Sequence, residues 1–224
     1  MPKKFWNFLQ SEGGSRTLWL EGPIASESWW GDEVTPKMFK DELNGGTGDV
    51  TVVINSEGGD VFAAAEIYDA LKEYPGKVTV KISALAASAA SVIAMAGDEV
   101  LISPTAYIVI HNPQTIVAGE SSDMAKAGQM LNAVKEGIIN AYEVKTKLSR
   151  AALSRMMDKQ TAMDANEAIR LGFADGLLYV VTNALTEKLL ASVQGATPKE
   201  PSAEPEPNRT TAESLHKRLN LLLH

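Results

Sequence analysis

The segment SALAASAASV (83–92) is built almost wholly from small side chains, yet keeps three hydroxyls: Ser83, Ser88 and Ser91. A serine becomes a nucleophile only when a base removes its proton. The chain holds three histidines, of which His216 and His224 lie in the final segment, so His111 is the one candidate base in the body. It stands at the end of the apolar part of AYIVIHNP (106–113). A third stretch, INSEGGD (54–60), carries the pair Gly58-Gly59, which permits positive φ and leaves backbone N–H groups free to face a ligand. Taken singly, each has a plain structural use: a tight helix contact, a strand-end imidazole, a turn. Together they could perform acyl transfer, with hydroxyl, imidazole and amides arranged around a carbonyl.

Several elements must position these groups. RTLWLEGP (16–23) reads as a strand ending at Gly22-Pro23, and TPKMFKDEL (35–43) as a helix with Thr35 as N-cap and Pro36 at its first position. DVTVVIN (49–55) is β-branched and nearly continuous in apolar residues, the mark of a buried parallel strand. It leads through the glycines into a helix over 61–74, with Val61, Ala65, Tyr68 or Ile67, and Leu71 at helical spacing. KVTVKIS (77–83) alternates as a strand and precedes an Ala/Ser helix to Ala96, with Ser88 near the start of that helix. DEVLIS and AYIVIH supply two short strands, the second with Tyr107, Val109 and His111 on one face. Helices over about 121–148 and 149–157 follow, and DANE (164–167) has the form of a capping box. GLLYVVT (176–182) closes the body as a strand. Strands alternating with helices predict an α/β fold with mostly parallel pairing.

Composition changes after about Val193. QGATPKEPSAEPEPN (194–208) has four prolines, three glutamates and no large apolar residue, which predicts a disordered linker. The tail over 209–224 regains a capping box (Thr210 to Glu213) and sets Leu215, Leu219 and Leu222 on one helical face; so short an amphipathic helix is marginal alone, and either docks on a partner, another subunit or the body, or frays. The expected organisation is an N-terminal segment 1–16, a folded body 17–193, the linker and the helix.

Bulk properties exclude other classes. A net charge of -7 gives nothing to neutralise phosphates, against a nucleic-acid partner. With no cysteine there is no disulfide, no thiolate zinc site and no Cys nucleophile. One histidine in the body leaves no His-rich metal site, and HExxH is absent. No cofactor is expected. The apolar run in MPKKFWNFLQSEGGS is too short and interrupted for a signal peptide, and 78–97 is too poor in Leu and Ile to span a bilayer, so a cytoplasmic location without membrane contact is expected.

INSEGG, AASAA and IHNP, in that order, resemble the Clp peptidase (ClpP) group of serine proteases, in which the counterparts read INSPGG, AASMG and IHQP. EAIRLGFADGLL (167–178) is similar to the family's ending, so the resemblance covers roughly 17–182. The wording LAASAASVIAMAGDEV (85–100) most resembles the phage and prophage branch of head-maturation proteases. The resemblance implies a crotonase-like superhelix of ββα units, oligomeric rings and a polypeptide substrate, such as a capsid or scaffold protein. It implies Ser88 as nucleophile, His111 as base, and the amides of Gly59 and Ala89 as oxyanion hole. Such preorganised donors stabilise the tetrahedral oxyanion by about 3–4 kcal/mol each.

Two positions depart from the family. Counted back from Glu167-Ala168, the place of the acid is held by Gln160, with Asp158 two residues earlier as the other candidate; Asp164 reads as a helix cap. A glutamine carbonyl can orient the imidazole but not stabilise its cation, and loss of the aspartate in such a triad costs about 10⁴ in rate. Glu57 stands where the family has proline. A serine endopeptidase in a phage prohead or host cytoplasm is therefore the first expectation, and an oligomeric pseudo-protease acting as a binding module the second. A hydratase or isomerase of the crotonase kind is third, without an evident catalytic glutamate pair. The sequence has no nucleotide-binding loop, so any ATP-driven unfoldase partner would be a separate chain.

Overall fold

The computed structural model describes residues 6–10, 16–25 and 36–179. The expected linker 194–208, the helix over 209–224, the end of the body at 193, the Thr35 cap and the last residues of the 176–182 strand lie outside the described residues.

The architecture is the expected mixed α/β one. Strands β1 (Trp6–Gln10), β2 (Arg16–Glu21), β3 (Val50–Ser56), β4 (Val78–Ala87), β5 (Glu99–Ile102) and β8 (Gly176–Leu177) lie in that order across one sheet. Two more strands, β6 (Tyr107–Ile110) and β7 (Thr161–Met163), branch from it, with β6 on β4 and β7 on β6. Pairing is parallel except for β1–β2 and β6–β7. The helices are α1 (Pro36–Asn44), α2 (Val61–Lys72), α3 (Ala89–Ala94), α4 (Ser121–Thr146), α5 (Arg150–Asp158) and α6 (Ala165–Leu171). The core runs from Leu18, Val52 and Val80 in the sheet to Ile67 of α2, Ile93 of α3, Ile139 of α4 and Leu153 of α5, all at most 1% exposed. Among the described residues no helix is long and apolar enough to cross a membrane.

The largest departure from the sequence reading lies in the Ala/Ser segment. The strand expected to stop at Ser83 runs on to Ala87, and the helix is reduced to Ala89–Ala94. Alanine favours helix in isolation, but tertiary pairing overrides it here. The first half of β4 pairs with β5 (Thr79↔Glu99 to Ile82↔Ile102), and the second half with β6 (Leu85↔Tyr107 to Ala87↔Val109). One long strand thus passes from one partner to the next, and small residues let it do so beside a buried helix.

Other expectations need adjustment. The buried stripe of α2 is Ala63, Ala64, Ile67, Ala70 and Leu71, so Val61, Ala65 and Tyr68 lie on its less buried side. Asp164 caps α6 by accepting from the Glu167 N–H, but Glu167 turns to Arg170 instead of completing a box. A reciprocal box occurs instead at α4, where Glu120 and Asp123 satisfy each other's backbone N–H groups. The 176–182 strand is reduced to two residues among those described, and β1 and β7 are additional to the sequence reading. Both pair antiparallel, and β7 at three residues is too short to show a period.

Candidate active site

Ser88 is the hinge between β4 and α3. Its backbone lies at φ 53, ψ -125, a region that non-glycine residues rarely occupy. Such a conformation costs of order 1–3 kcal/mol and persists only where the surroundings impose it. Here the Ser88 N–H donates to the Val109 carbonyl at 2.9 Å, and the Ser88 carbonyl accepts from the Ser91 N–H at 3.0 Å and the Ser91 hydroxyl at 2.5 Å. A sharp strand-to-helix turn of this kind is how α/β-hydrolases expose a serine Oγ above the sheet.

The three hydroxyls of the 83–92 segment have different surroundings. Ser83 donates to the Ile54 carbonyl at 3.2 Å, and Ser91 is fully buried against Ser88 and Tyr142. Ser88 lines a cavity of about 440 Å³ together with Ala89, Gly59 and His111. Parallel pairing of β4 with β6 causes this meeting. With Ala87 opposite Val109, the register carried on brings Ser88 and Ala89 alongside the strand end that bears His111. Ile108 and Ile110 are buried on the opposite face, as the alternation predicts.

The glycine turn comes up against the same hinge. Gly58 (φ +97) has no room for a side chain, because a Cβ would stand 2.6 Å from the Ala87 carbonyl oxygen and 2.7 Å from Ser88 Cβ. Gly59 forms a bridge with Ile24: the Ile24 N–H donates to the Gly58 carbonyl and the Asp60 N–H to the Ile24 carbonyl, both at 2.8 Å. Extended backbone alternates its N–H directions, so the Gly59 N–H faces away from Ile24. Ala89, first residue of α3, carries one of the N–H groups that a helix leaves unpaired at its start. Val61, Phe62, Met130, Leu131 and Val134 make the cavity's apolar wall, with Glu57 and Asp60 at its edge. Asp60 is engaged in capping α2, accepting from the Phe62 and Ala63 N–H groups at 2.8 Å.

The imidazole side is less complete. His111 Nδ1 is buried and has no hydrogen-bond partner among the described residues, and neither does Asn112 Oδ1. Asp158 accepts instead from Lys135 Nζ at 2.6 Å and Asn112 Nδ2 at 2.9 Å. These bonds, Lys135 first, hold its carboxyl below the usual carboxylate range. Gln160 follows the end of α5 and takes a left-handed conformation, φ 49. The β6–β7 register, Ile110 opposite Thr161, continued by one residue sets Gln160 across from His111. Neither third-member candidate thus bonds the imidazole here. Among the described residues no cluster of His, Cys, Asp and Glu could hold a metal ion.

Sequence reasoning named Ser91 only as one of three small hydroxyls, and missed Tyr142 and Lys135. Tyr142 comes from α4, distant in the chain, and only its place with Ile138, Ile139 and Ala141 in a mostly apolar stretch of a long polar helix could have drawn notice. Burial pushes its phenol well above the usual range, against a smaller opposing effect of the Ser91 hydrogen bond.

An α/β sheet whose strand ends enclose a serine hinge, an imidazole and a glycine turn has the layout of a hydrolase. The chain belongs to the Clp protease family, described as Clp protease, whose family model matches residues 8–180. It is 31% identical over 169 residues to the ATP-dependent Clp protease proteolytic subunit 1 of Chlamydia muridarum, covering 74% of this chain and 87% of that protein. The subunit of the same name from Protochlamydia amoebophila is 27% identical over 168 residues, 73% of this chain and 81% of that protein. The ATP-dependent Clp protease proteolytic subunit of Deinococcus radiodurans is 24% identical over 165 residues, 73% and 80% respectively.

Proposed function

We propose that this protein is a serine endopeptidase that cuts polypeptides through a Ser88 acyl-enzyme. The observation that supports it most is the shared cavity of Ser88, His111, Gly59 and Ala89, with Ser88 in a strained hinge. In this reading His111 takes the Ser88 hydroxyl proton as Oγ attacks the scissile carbonyl. The developing oxyanion is met by the Gly59 and Ala89 N–H groups. His111 then gives the proton to the leaving amine, and water, deprotonated by His111, releases the acyl group. The role of third member falls to Gln160 or Asp158.

The substrate we propose is a capsid or scaffold protein, cut during phage or prophage head assembly in the host cytoplasm. The likeness of 85–100 to the head-maturation branch supports it. A homo-oligomeric ring enclosing the sites accords with the family, and gel filtration at micromolar concentration should give an assembly; a monomer contradicts the ring. A fluorophosphonate probe should label the assembled protein at Ser88 and leave Ser88→Ala unlabelled.

A second reading, an oligomeric pseudo-protease that binds assembly partners, is favoured by the Nδ1 of His111, which has no partner among the described residues. Absence of labelling in the folded, assembled wild type selects it over the first.

A further inference from the structure

We propose that Ser91 and Tyr142 are a positioning pair that holds Ser88 in its strained backbone conformation; this rests on the reading of Ser88 as the nucleophile. The direction of the hydrogen bonds is fixed by chemistry. The Ser88 carbonyl can only accept, so the single Ser91 O–H is donated to it, at 2.5 Å. Ser91 Oγ then has only lone pairs left for Tyr142, so the phenol O–H donates to Ser91 across 2.7 Å. The chain runs from Tyr142 to Ser91 to the Ser88 carbonyl. Both side chains are buried, at 0% and 1% exposed, with Tyr142 also bordering the Ser88 cavity. Burial keeps the phenol protonated, and hence a donor.

A serine near a helix start often bonds a carbonyl three residues back, and by itself that bond is ordinary. Two facts separate this one. Its acceptor belongs to the residue at φ 53, and its oxygen is itself held by a side chain from another helix. Tyr142 is fixed in turn, its ring edge-on to Phe173 at 5.5 Å. The Ser88 peptide groups are thus gripped on one side by β6, through Val109, and on the other by α4, through Tyr142 and Ser91. Ser91 and Tyr142 act through the backbone of Ser88, so they set where its Oγ points.

The test compares Tyr142→Phe, Ser91→Ala and the double variant with wild type, using fluorophosphonate labelling rate and peptide-hydrolysis kinetics on the assembled full chain. Tyr142→Phe should lower kcat and labelling rate about tenfold with KM unchanged, as expected when geometry is lost rather than ground-state binding. Ser91→Ala should lower them further, and the double variant should match Ser91→Ala, because Tyr142 acts through Ser91. Ile139→Val, a core change on the same helix, is the control for stability alone. Losses in Tyr142→Phe no larger than in that control, or effects of the two substitutions that simply add, overturn the pair.

Crystal structures of wild type and Tyr142→Phe give a readout independent of activity. Ser88 should leave φ 53 or split into two backbone conformers in the variant. A labelled wild type with Ser88 unmoved in the variant overturns the pair while the function stands. An unlabelled wild type with Ser88 released in the variant overturns the function while the pair stands. Should Ser91→Ala fail to fold, Tyr142→Phe decides alone, through its kcat-against-KM split and its Ser88 conformation.

Discussion

The two ends of the candidate site differ in how completely they are built. At the β4–α3 hinge the backbone is held throughout: Ser88 is bonded through both its N–H and its carbonyl, Ser91 grips that carbonyl through its hydroxyl, and Gly58 fits where no side chain could. At the β6–β7 end the His111 Nδ1 and Asn112 Oδ1 are buried without partners among the described residues, and the nearby carboxylate of Asp158 is held by Lys135 and Asn112. The Ser88 side, the proposed nucleophile, is preorganised in the single chain; the His111 side, the proposed base, lacks a bond to the imidazole among the described residues. Attack geometry and base orientation are therefore separate requirements here, set by different strands and open to separate tests.

The largest effect should come from breaking the complete end. Gly58→Ala forces a Cβ against the Ala87 carbonyl and Ser88 and moves the neighbouring Gly59 amide, so fluorophosphonate labelling should fall by about 10²–10³, the scale of losing one oxyanion donor. Retained labelling would show that the turn is not part of the machinery.

Completing the other end should have the next largest effect, with opposite sign. Gln160→Asp supplies a negative charge across from His111, and aspartate tolerates the left-handed backbone better than most residues. A rise in kcat of at least about tenfold is expected, a fraction of the 10⁴ that such an aspartate is worth. No rise, joined to a loss in Asp158→Asn, would assign the orienting role to Asp158 after rearrangement.

Lys135→Ala should act more weakly. It removes the leading cause of the lowered Asp158 pKa, so the carboxyl resonance in a carbon-detected NMR titration should move its midpoint upward. A lowered folded-state pKa contributes stability above the ordinary carboxylate value and loses it as pH falls through the lowered one. The Asp158–Lys135 pair should therefore persist at neutral pH and part only in acid. Because the carboxylate faces solvent, the change in Tm should stay within the scatter of the measurement. An unmoved midpoint would show that the bond is not populated in solution.

Much of this was legible in the sequence because it depends on short stretches. The β-branched run of 50–55, the Pro36 helix start and the alternation of 107–111 are local patterns, and the structure has all three. Ser88, His111 and the glycine pair stood out by residue type, and the cavity brings them together. The boundary at Ser88 was misjudged by several residues for a reason equally local: alanine-rich sequence favours helix, and nothing within 83–87 announces a second strand partner beginning at Tyr107.

The sequence by itself determined the α/β class, the family motifs and the short set of groups able to do acyl chemistry, since these rest on composition and spacing within a few residues. Only the tertiary structure decided that β4 changes partners and so turns Ser88 into a strained hinge. It alone also decided that Tyr142 and Ser91 grip that hinge, and that Asp158 bonds Lys135 instead of His111. Those outcomes depend on contacts between residues tens of positions apart, where pairing and burial outweigh any local preference.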